Sequence, residues 1–278
     1  MNPTSPETKV TVIDAQGRAA IPWDEIWAYR ELFWIVALRD LKVRYKQTLA
    51  GIVWVILQPA LTTLLFLGFL RLYDVQNYSP ISQALIMFSG LILWRLYSNT
   101  VTTASESVVA SQALITKVYF PRIILPASSL LPAYTDFAVG VVILIGLMFF
   151  LPCQPGFAIV LAPLFVFLLS LQALAIGIWM SALNSLYRDI RQIVPFAMQL
   201  GMFLCPVFYS SARVPEKWRW LYDLIPNSAL IDGFRWGMMG GPAPSLVGLL
   251  WSLAFTGGVM WTGILYFRWV ERKFADVV

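Results

Sequence analysis

The residues best suited to chemistry in this chain are charged side chains placed between long apolar stretches. The segment NSLYRDIRQIVPF, residues 184–196, gathers Arg188, Asp189 and Arg191 within four positions. Guanidinium and carboxylate groups at such an elbow can form charge-assisted hydrogen bonds with a partner protein. The same charges would also anchor a membrane loop, because Lys and Arg are retained on the cytoplasmic side. The residues alone leave both interpretations open.

A second charged segment, QALITKVYFPRIILP, covers residues 112–126 and contains Lys117, Tyr119 and Arg122. Pro121 limits any helix there to a short one, because proline lacks the N–H that a helix interior needs. Two short helical connections of this kind suggest a docking surface for a partner. The alternative is again that their positive charges only hold the loops at the membrane surface.

Two further charges fall inside apolar segments. Arg95 lies in GLILWRLYSN and Asp136 lies in PAYTDFAVG. A charge in the middle of a membrane-spanning helix costs about 3 kcal/mol, so each side chain should face protein or water rather than lipid. We expect these buried charges to hold neighbouring helices together, with direct pairing as one arrangement. Two other roles stay open for Arg95, which could extend to the outer interface or bind a phosphate of a substrate.

The motifs of an enzyme are missing from the sequence. It contains no G-x-x-x-x-G-K-[ST] phosphate loop, no H-E-x-x-H or G-x-S-x-G motif, and no histidine. The acids of the predicted external loops show no paired spacing suited to acid–base catalysis. Cys153 and Cys205 do not have the spacing of metal ligands. We therefore predict no catalytic residue, metal or cofactor in this chain, so any ATP hydrolysis would need a partner.

Aromatic residues make up 15% of the chain. Many belong to interfacial belts or to packing contacts between helices. Aromatic rings are also what a weakly charged channel would offer to a sugar. Six aromatic residues are candidates for lining a channel, with belt or packing as the alternative for each, namely Trp54, Phe66, Phe69, Tyr73, Trp94 and Tyr97.

Membrane-spanning helices must position these residues. The chain has 278 residues, of which 59% are hydrophobic and 13% charged, whereas soluble proteins average about 25% charged residues. A helix needs about 20 apolar residues to cross about 30 Å of hydrocarbon. We therefore predict an all-α integral membrane protein with a single domain over residues 24–278. Its six predicted transmembrane helices cover about 51–70, 82–103, 125–151, 157–183, 193–209 and 246–267.

The distribution of positive charge predicts the orientation. Six spans place both termini on one side of the membrane. Most Lys and Arg residues lie before the first span, after the last one, and in the connections that contain residues 112–122 and 184–192. Because positive charge is retained in the cytoplasm, both termini and both connections are predicted to be cytoplasmic.

The residues before the first span divide into two parts. Residues 1–23 are polar and lack the apolar core of a secretory signal, so we predict a flexible cytoplasmic tail. In residues 24–46, Trp27, Trp34 and Leu38 share one helical face, which predicts an amphipathic helix at the inner membrane surface. Its basic residues would meet anionic headgroups, and they are Arg39, Lys42, Arg44 and Lys46.

Residues 210–245 would lie outside the membrane, yet they are rich in Trp, Leu, Ile and Met. Pro215 favours a helix start and Gly240 a helix end, while Pro226 separates the two parts. We predict two short helices over 214–240 that dip back into the outer interface, where protein satisfies their ends. The alternative is a small surface cap.

Four stretches resemble, in this order, the transmembrane subunit of type 2 ABC exporters of polysaccharides, the O-antigen and teichoic-acid export permeases. Each stretch alone is modest, but four in order are specific, and together they span almost everything after residue 24. They are LRDLKVRYKQTLAGIVWVILQP at 38–59, ITKVYFPRIILP at 115–126, LNSLYRDIRQIVPFAMQLGMFLCPVFYS at 183–210 and VPEKWRWLYDLIPNSALIDGFRWGMMG at 214–240.

The resemblance implies a dimeric pore, in which a homodimer of this subunit works with two copies of a separate ABC ATPase that binds ATP and Mg. The family's interface helix corresponds to residues 24–46, its external gate helices to 214–240, and its coupling helices to 112–122 and 184–192. The residues implied to contact the ATPase are Lys117, Tyr119, Arg122, Tyr187, Arg188, Asp189 and Arg191.

The implied cargo is a polysaccharide linked to undecaprenyl diphosphate, which moves from cytoplasm to periplasm across the bacterial inner membrane. The pore would form between the two copies of the first and fifth spans. The lipid diphosphate is expected at the basic residues of the interface helix, Arg39, Lys42, Arg44 and Lys46. The expected partners are therefore a second copy, the ATPase, the lipid-linked polymer and membrane lipids, without nucleic acid.

Three alternatives remain at this stage. An ABC permease for a drug or small lipid would share the six-span layout. A membrane-bound glycosyl- or acyltransferase would need a histidine base or paired external acids, and the sequence offers neither. A passive channel would leave the two cytoplasmic elbows without a partner.

Overall fold

The computed structural model describes residues 23–46, 51–72, 80–151, 153, 157–209, 211 and 214–277. Within these residues the chain is helical and contains no strand, which confirms the all-α prediction. The predicted tail lies outside the described residues except for Trp23, which begins the first helix.

The described part of the chain forms twelve α-helices and one short 3-10 helix. In chain order they are α1 (Trp23–Ala28), α2 (Arg30–Lys46), α3 (Gly51–Leu72), α4 (Pro80–Ala110), α5 (Gln112–Ile115), α6 (Ile124–Ser128), α7 (Leu130–Phe150), the 3-10 helix (Phe157–Leu161), α8 (Ala162–Leu186), α9 (Ile190–Leu204), α10 (Glu216–Leu224), α11 (Ser228–Met239) and α12 (Leu246–Val277).

Four helical segments in the described part are long and apolar enough to cross a membrane, and they match the predicted second, third, fourth and sixth spans. Two shorter apolar segments, Ile56–Gly68 within α3 and Ile190–Leu204, coincide with the first and fifth. The chain is therefore a multi-pass membrane protein, while the count of six spans stays a prediction. The four long segments are Gln83–Ala110, Ile124–Phe150, Phe157–Leu186 and Leu246–Arg272.

Helices α4 and α8 form the centre of the bundle, with α7 and α12 packed on either side. Small residues bring the two central helices close together, since a Cβ added at Gly177 of α8 would lie 2.6 Å from the Cβ of Ala104 in α4. Helix association in membranes depends on such close packing rather than on the hydrophobic effect. One apolar cluster surrounds Leu93 and Leu169, and a second surrounds Leu125 and Phe267.

The predicted fifth span, residues 193–209, is helical only as far as Leu204. Helix α9 stops at Leu204, and Cys205 is extended (φ −77°, ψ 155°) because Pro206 disfavours a helical residue before it. The chain from Cys205 to Tyr209 is not helical, although its first three residues are buried. Non-helical backbone at membrane depth needs hydrogen-bond partners from the protein, and other helices supply them.

Arg235 of α11 supplies most of those partners. Its guanidinium is only 4% exposed and donates to the carbonyl oxygens of Val207 and Tyr209, each at 2.9 Å, and to that of Ile86 in α4 at 2.7 Å. Gln83 of α4 donates from Nε2 to the carbonyl of Phe208 at 2.9 Å. One arginine therefore fastens α11 to the outer ends of both α4 and α9.

The external segment contains the two short helices expected there. Helix α10 follows Pro215, and α11 ends at Gly240, whose φ of 70° is the left-handed conformation that favours glycine at a helix end. Most of α11 is buried within the bundle, whereas Trp218 and Trp220 of α10 are exposed. Helix α11 is thus part of the bundle, while α10 lies at its surface, and the re-entrant arrangement stays a prediction.

Candidate functional site

The connection between α8 and α9 is the elbow at residues 184–192. Helix α8 ends at Leu186, and Tyr187 turns the chain with an extended backbone (φ −128°, ψ 113°). The side chains of Tyr187, Arg188 and Asp189 are exposed. Three neighbouring residues with an aromatic ring and both charge signs are thus available at the surface of the subunit.

The connection between α4 and α6 contains the elbow at residues 112–122 and the short helix α5. Lys117 and Tyr119 are exposed, whereas Arg122 turns towards the end of α12, with its Nε 3.9 Å from Oε1 of Glu271. Partial burial raises the pKa of the Tyr119 phenol, and the carboxylates of Glu25 and Glu271 raise it further. The Tyr119 hydroxyl therefore remains a neutral hydrogen-bond donor at neutral pH.

The two elbows lie at the same end of the bundle. Arg191, at the start of α9, pairs with Glu106 near the end of α4 at 3.5 Å between Nε and Oε1. Asn184 of α8 donates from Nδ2 to the carbonyl of Ser105 at 2.9 Å. Arg122 and Arg191 thus fix the elbows to neighbouring helices, and the exposed residues that remain form one candidate docking surface, Lys117, Tyr119, Tyr187, Arg188 and Asp189.

Asp136 of α7 is the centre of a buried polar network that the sequence only partly indicated. Its side chain is 5% exposed and pairs with Arg44 of α2 at 2.6 Å between Oδ2 and Nη2. The Tyr45 hydroxyl donates to Oδ1 of the same carboxylate, and Asn99 of α4 donates from Nδ2 to Oδ2 at 3.3 Å. Pairing of Asp136 with Arg95 was one arrangement left open by the sequence, and in this conformation the ion-pair partner of Asp136 is Arg44.

The basic residues of the interface helix do not form the uniform surface that was expected. Arg44 turns inward to Asp136, and Arg39 bonds to Asp40 at 2.9 Å and to Oγ of Ser111 at 3.4 Å. Lys42 and Lys46 are exposed, and the side chains of Arg39 and Arg44 remain 46% and 35% exposed although each is bonded within the subunit. Sequence reasoning missed this division because it depends on how α2 is rotated against α6 and α7.

The six aromatic candidates for a channel wall divide into three groups. Trp54 is 58% exposed, and Phe66 is partly exposed and stacks on Phe208 with 3.9 Å between ring centroids. Trp94 and Tyr97 are buried at 5% and 4% exposure within the core, so the packing alternative describes them and we leave them out of the channel wall. The side chains of Phe69 and Tyr73 lie outside the described residues.

Two exposed stripes on α3 and α9 contain amides that the sequence analysis overlooked. On α9 the stripe follows positions i, i+4, i+7 and i+11, which share one helical face, and it alternates two amides with two aromatic rings. On α3 the same spacing begins with an aromatic ring and an amide and continues with two leucines. All eight side chains are exposed, Gln192, Phe196, Gln199 and Phe203 on α9, and Trp54, Gln58, Leu61 and Leu65 on α3.

The structure is a multi-pass helical bundle with an exposed candidate docking surface, and the sequence has no nucleotide-binding motif. This combination is typical of the membrane subunit of a transporter. The model of the ABC-2 type transporter family matches residues 31–239, and the chain belongs to this family. The match confirms the family recognised in the four sequence stretches. By its family the chain is a transport subunit.

Curated relatives extend the similarity over most of the chain. The chain is 24% identical over 253 residues to an O-antigen export system permease protein RfbA of Klebsiella pneumoniae, which covers 89% of this chain and 95% of the relative. It is 25% identical over 256 residues to the O-antigen export system permease protein RfbA of Myxococcus xanthus, which covers 91% of this chain and 98% of the relative.

Proposed function

We propose that this chain is the membrane-spanning subunit of an ABC exporter that moves undecaprenyl-diphosphate-linked polysaccharide, such as O-antigen, from cytoplasm to periplasm. ATP would be hydrolysed by a separate ABC ATPase, since the sequence has no phosphate loop. The family match and the naming of the curated relatives as O-antigen export permeases support this proposal. The observation that carries it is the pairing of two exposed elbows at one end of the bundle.

The proposed assembly contains two copies of this chain and two ATPase subunits. The elbows would face the cytoplasm together with both termini, in the bacterial inner membrane. Lys117, Tyr119, Tyr187, Arg188 and Asp189 would contact the ATPase, and closure of the ATPase dimer would move them. Since Arg191 is bound to Glu106 and Arg122 to Glu271, motion at the elbows would pass directly into α4, α9 and α12.

The proposed pathway for the polymer follows the exposed stripes of α3 and α9. Sugar hydroxyls would hydrogen-bond to the amides of Gln58, Gln192 and Gln199, and the apolar faces of sugar rings would pack on aromatic rings. Neutral groups suit a long polymer, because a translocating cargo must bind well enough to enter and weakly enough to leave. The exposed Lys42 and Lys46 are the basic residues best placed for the lipid diphosphate, since Arg39 and Arg44 are engaged within the subunit.

The proposal is tested by deleting this chain from its host and examining the lipid-linked polymer. Surface polysaccharide should disappear, and full-length polymer on a diphosphate lipid should accumulate inside the cells. Export should return with the intact chain but not with its ATPase partner inactivated. A permease for a drug or small lipid would leave the surface polymer unchanged, and that result would reject the proposal.

A further inference from the structure

The carboxylate of Asp136 joins three helices that a transport cycle would have to move relative to one another. Arg44 and Tyr45 reach it from α2, Asn99 reaches it from α4, and Asp136 itself belongs to α7. A carboxylate that is almost fully buried requires a cation and hydrogen bonds, because its charge is otherwise strongly disfavoured. If α2 leaves α7, the carboxylate must therefore either take up a proton or meet another cation in place of Arg44.

Arg95 is the candidate replacement. It precedes Asn99 by four residues, so both lie on one face of α4, and its charge interacts with Asp136, Arg44 and Tyr45. Its Nη1 is buried and has no hydrogen-bond partner among the described residues. A buried donor without a partner lowers the stability of the fold. In this conformation Arg95 therefore still has an N–H group that can donate to a carboxylate.

Helix α2 is also the element that a partner at the elbows would displace. It packs against α6, which directly follows the first elbow, and against α7. Arg39 of α2 contacts Ser111 at the start of that elbow. A shift of residues 112–122 would therefore displace α2. The nearest buried ion pair that this displacement would strain is the one between Arg44 and Asp136.

We infer that Asp136 exchanges one arginine for another during the transport cycle. Arg44 of α2 holds the carboxylate in this conformation, and Arg95 of α4 takes it when α2 is displaced. Both are positioning residues, and neither contacts the polymer. The inference rests on the proposed function only in that an ATPase acts on the elbows.

The first test compares Arg95→Met and Arg95→Lys in the full complex with its ATPase. Methionine removes the charge at similar length, so export should fall at least about tenfold while the thermal stability of the complex stays equal or rises, since an unpartnered buried charge is gone. Lysine keeps the positive charge and should retain about half of the export. Arg219→Met, at an exposed position of α10, is the matched control and should export normally.

A second measurement does not depend on the cargo. Spin labels at the exposed positions Val43 of α2 and Val142 of α7 report the separation of the two helices. Cys153 and Cys205 are replaced by alanine so that they do not take up the label. Trapping the ATPase with ADP and vanadate should change that separation in the otherwise unmodified complex. In the Arg95→Met complex the change should be absent.

The outcomes separate the inference from the proposed function. Normal export by Arg95→Met would overturn the exchange, and so would a loss of export that comes with lowered stability and no rescue by lysine. The inference would also be overturned if, in the labelled complex that keeps Arg95, the distance between the two labels did not change when nucleotide is trapped. A complex that shows the nucleotide-dependent change but exports no polysaccharide would support the exchange and reject the proposed cargo.

Discussion

At the scale of single residues, buried charged side chains hold helices together through ion pairs and hydrogen bonds. Asp136 binds groups from two other helices, and Arg235 binds three backbone carbonyls from two segments. The charges of Asp136 and Arg235 are thereby compensated by bonds to other elements of the fold. Since removing one partner leaves the others unpaired in a low-dielectric interior, these positions should be more sensitive than the surrounding apolar core.

Trp54 is exposed and Tyr97 is buried, so replacing each by alanine should have a different effect. Trp54→Ala should slow export while leaving the stability of the purified subunit unchanged, because its ring is exposed and packs against little. Tyr97→Ala should lower the free energy of unfolding by about 3–5 kcal/mol, because it leaves a cavity in the core. Thermal unfolding in detergent and surface polysaccharide measured on the same two variants check both. Normal export by Trp54→Ala would remove Trp54 from the channel wall.

Loss of Arg235 should destabilise the external helices. Arg235→Met removes the side-chain donor to the carbonyls of Val207 and Tyr209, one of the donors to the carbonyl of Ile86, and the cation beside Asp232, which should cost about 3–5 kcal/mol. Chemical unfolding in detergent measures this directly. Arg219→Met on the exposed face of α10 removes the same type of side chain and should change stability by less than about 0.5 kcal/mol. Equal stability for both variants would show that Arg235 does not hold α11.

At the scale of helices, the two elbows and the broken end of α9 are the elements that connect docking to the channel wall. Helix α9 begins at one elbow, carries the stripe of amides and aromatic rings, and ends in the backbone that Arg235 binds. A displacement at its first turn therefore reaches both the proposed pathway and the external helices. Transmitting a displacement in this way requires a stiff helix. The rings of Phe203 and Phe66 both contact Phe208 and support the C-terminal end of α9.

Charge reversal at the second elbow should uncouple ATP hydrolysis from export. Arg188 is exposed and distant from the buried networks, so Arg188→Glu should leave folding and membrane insertion unchanged. Reversing a charge at an interface typically costs about 2 kcal/mol or more, so binding of the ATPase should weaken by at least about thirtyfold. Affinity measured with purified subunits, beside polysaccharide at the cell surface, checks this. Arg188→Lys keeps the charge, and unchanged affinity in both variants would exclude Arg188 from the docking surface.

At the scale of the whole molecule, long apolar segments could be predicted from the sequence, and contacts between distant segments could not. The four longest spans and both elbows follow from composition, because each needs only a local run of apolar or charged residues. The end of α9 depends on Arg235, about thirty residues further along, and the partner of Asp136 depends on the rotation of α2. Pro206 is a local signal for the end of α9, but the bonds from Arg235 and the ion pair of Asp136 with Arg44 join distant segments, so hydrophobic periodicity does not predict them.

The exposed faces of α3 and α9 also predict how two copies meet. If those faces line a pathway between two subunits, cysteines at Gln58 and at Gln199 should crosslink across the dimer with a short bifunctional reagent. Cysteines at Phe149 and Val160, which are as exposed but belong to α7 and the 3-10 helix, should not. Denaturing gels of the membrane-embedded protein distinguish these results. Crosslinking only at the second pair would place the dimer interface on α7 and the 3-10 helix.

The length of α4 has a mechanical consequence. Its 31 residues extend about 46 Å, whereas the hydrocarbon layer is about 30 Å thick, so about 16 Å of rigid helix is left to project beyond it. A tilt of about 10° around its midpoint would swing either tip by about 4 Å. Because Arg235 binds α4 near its first residues and the elbow follows its last residues, α4 can act as a lever that transmits a small displacement from one end of the bundle to the other.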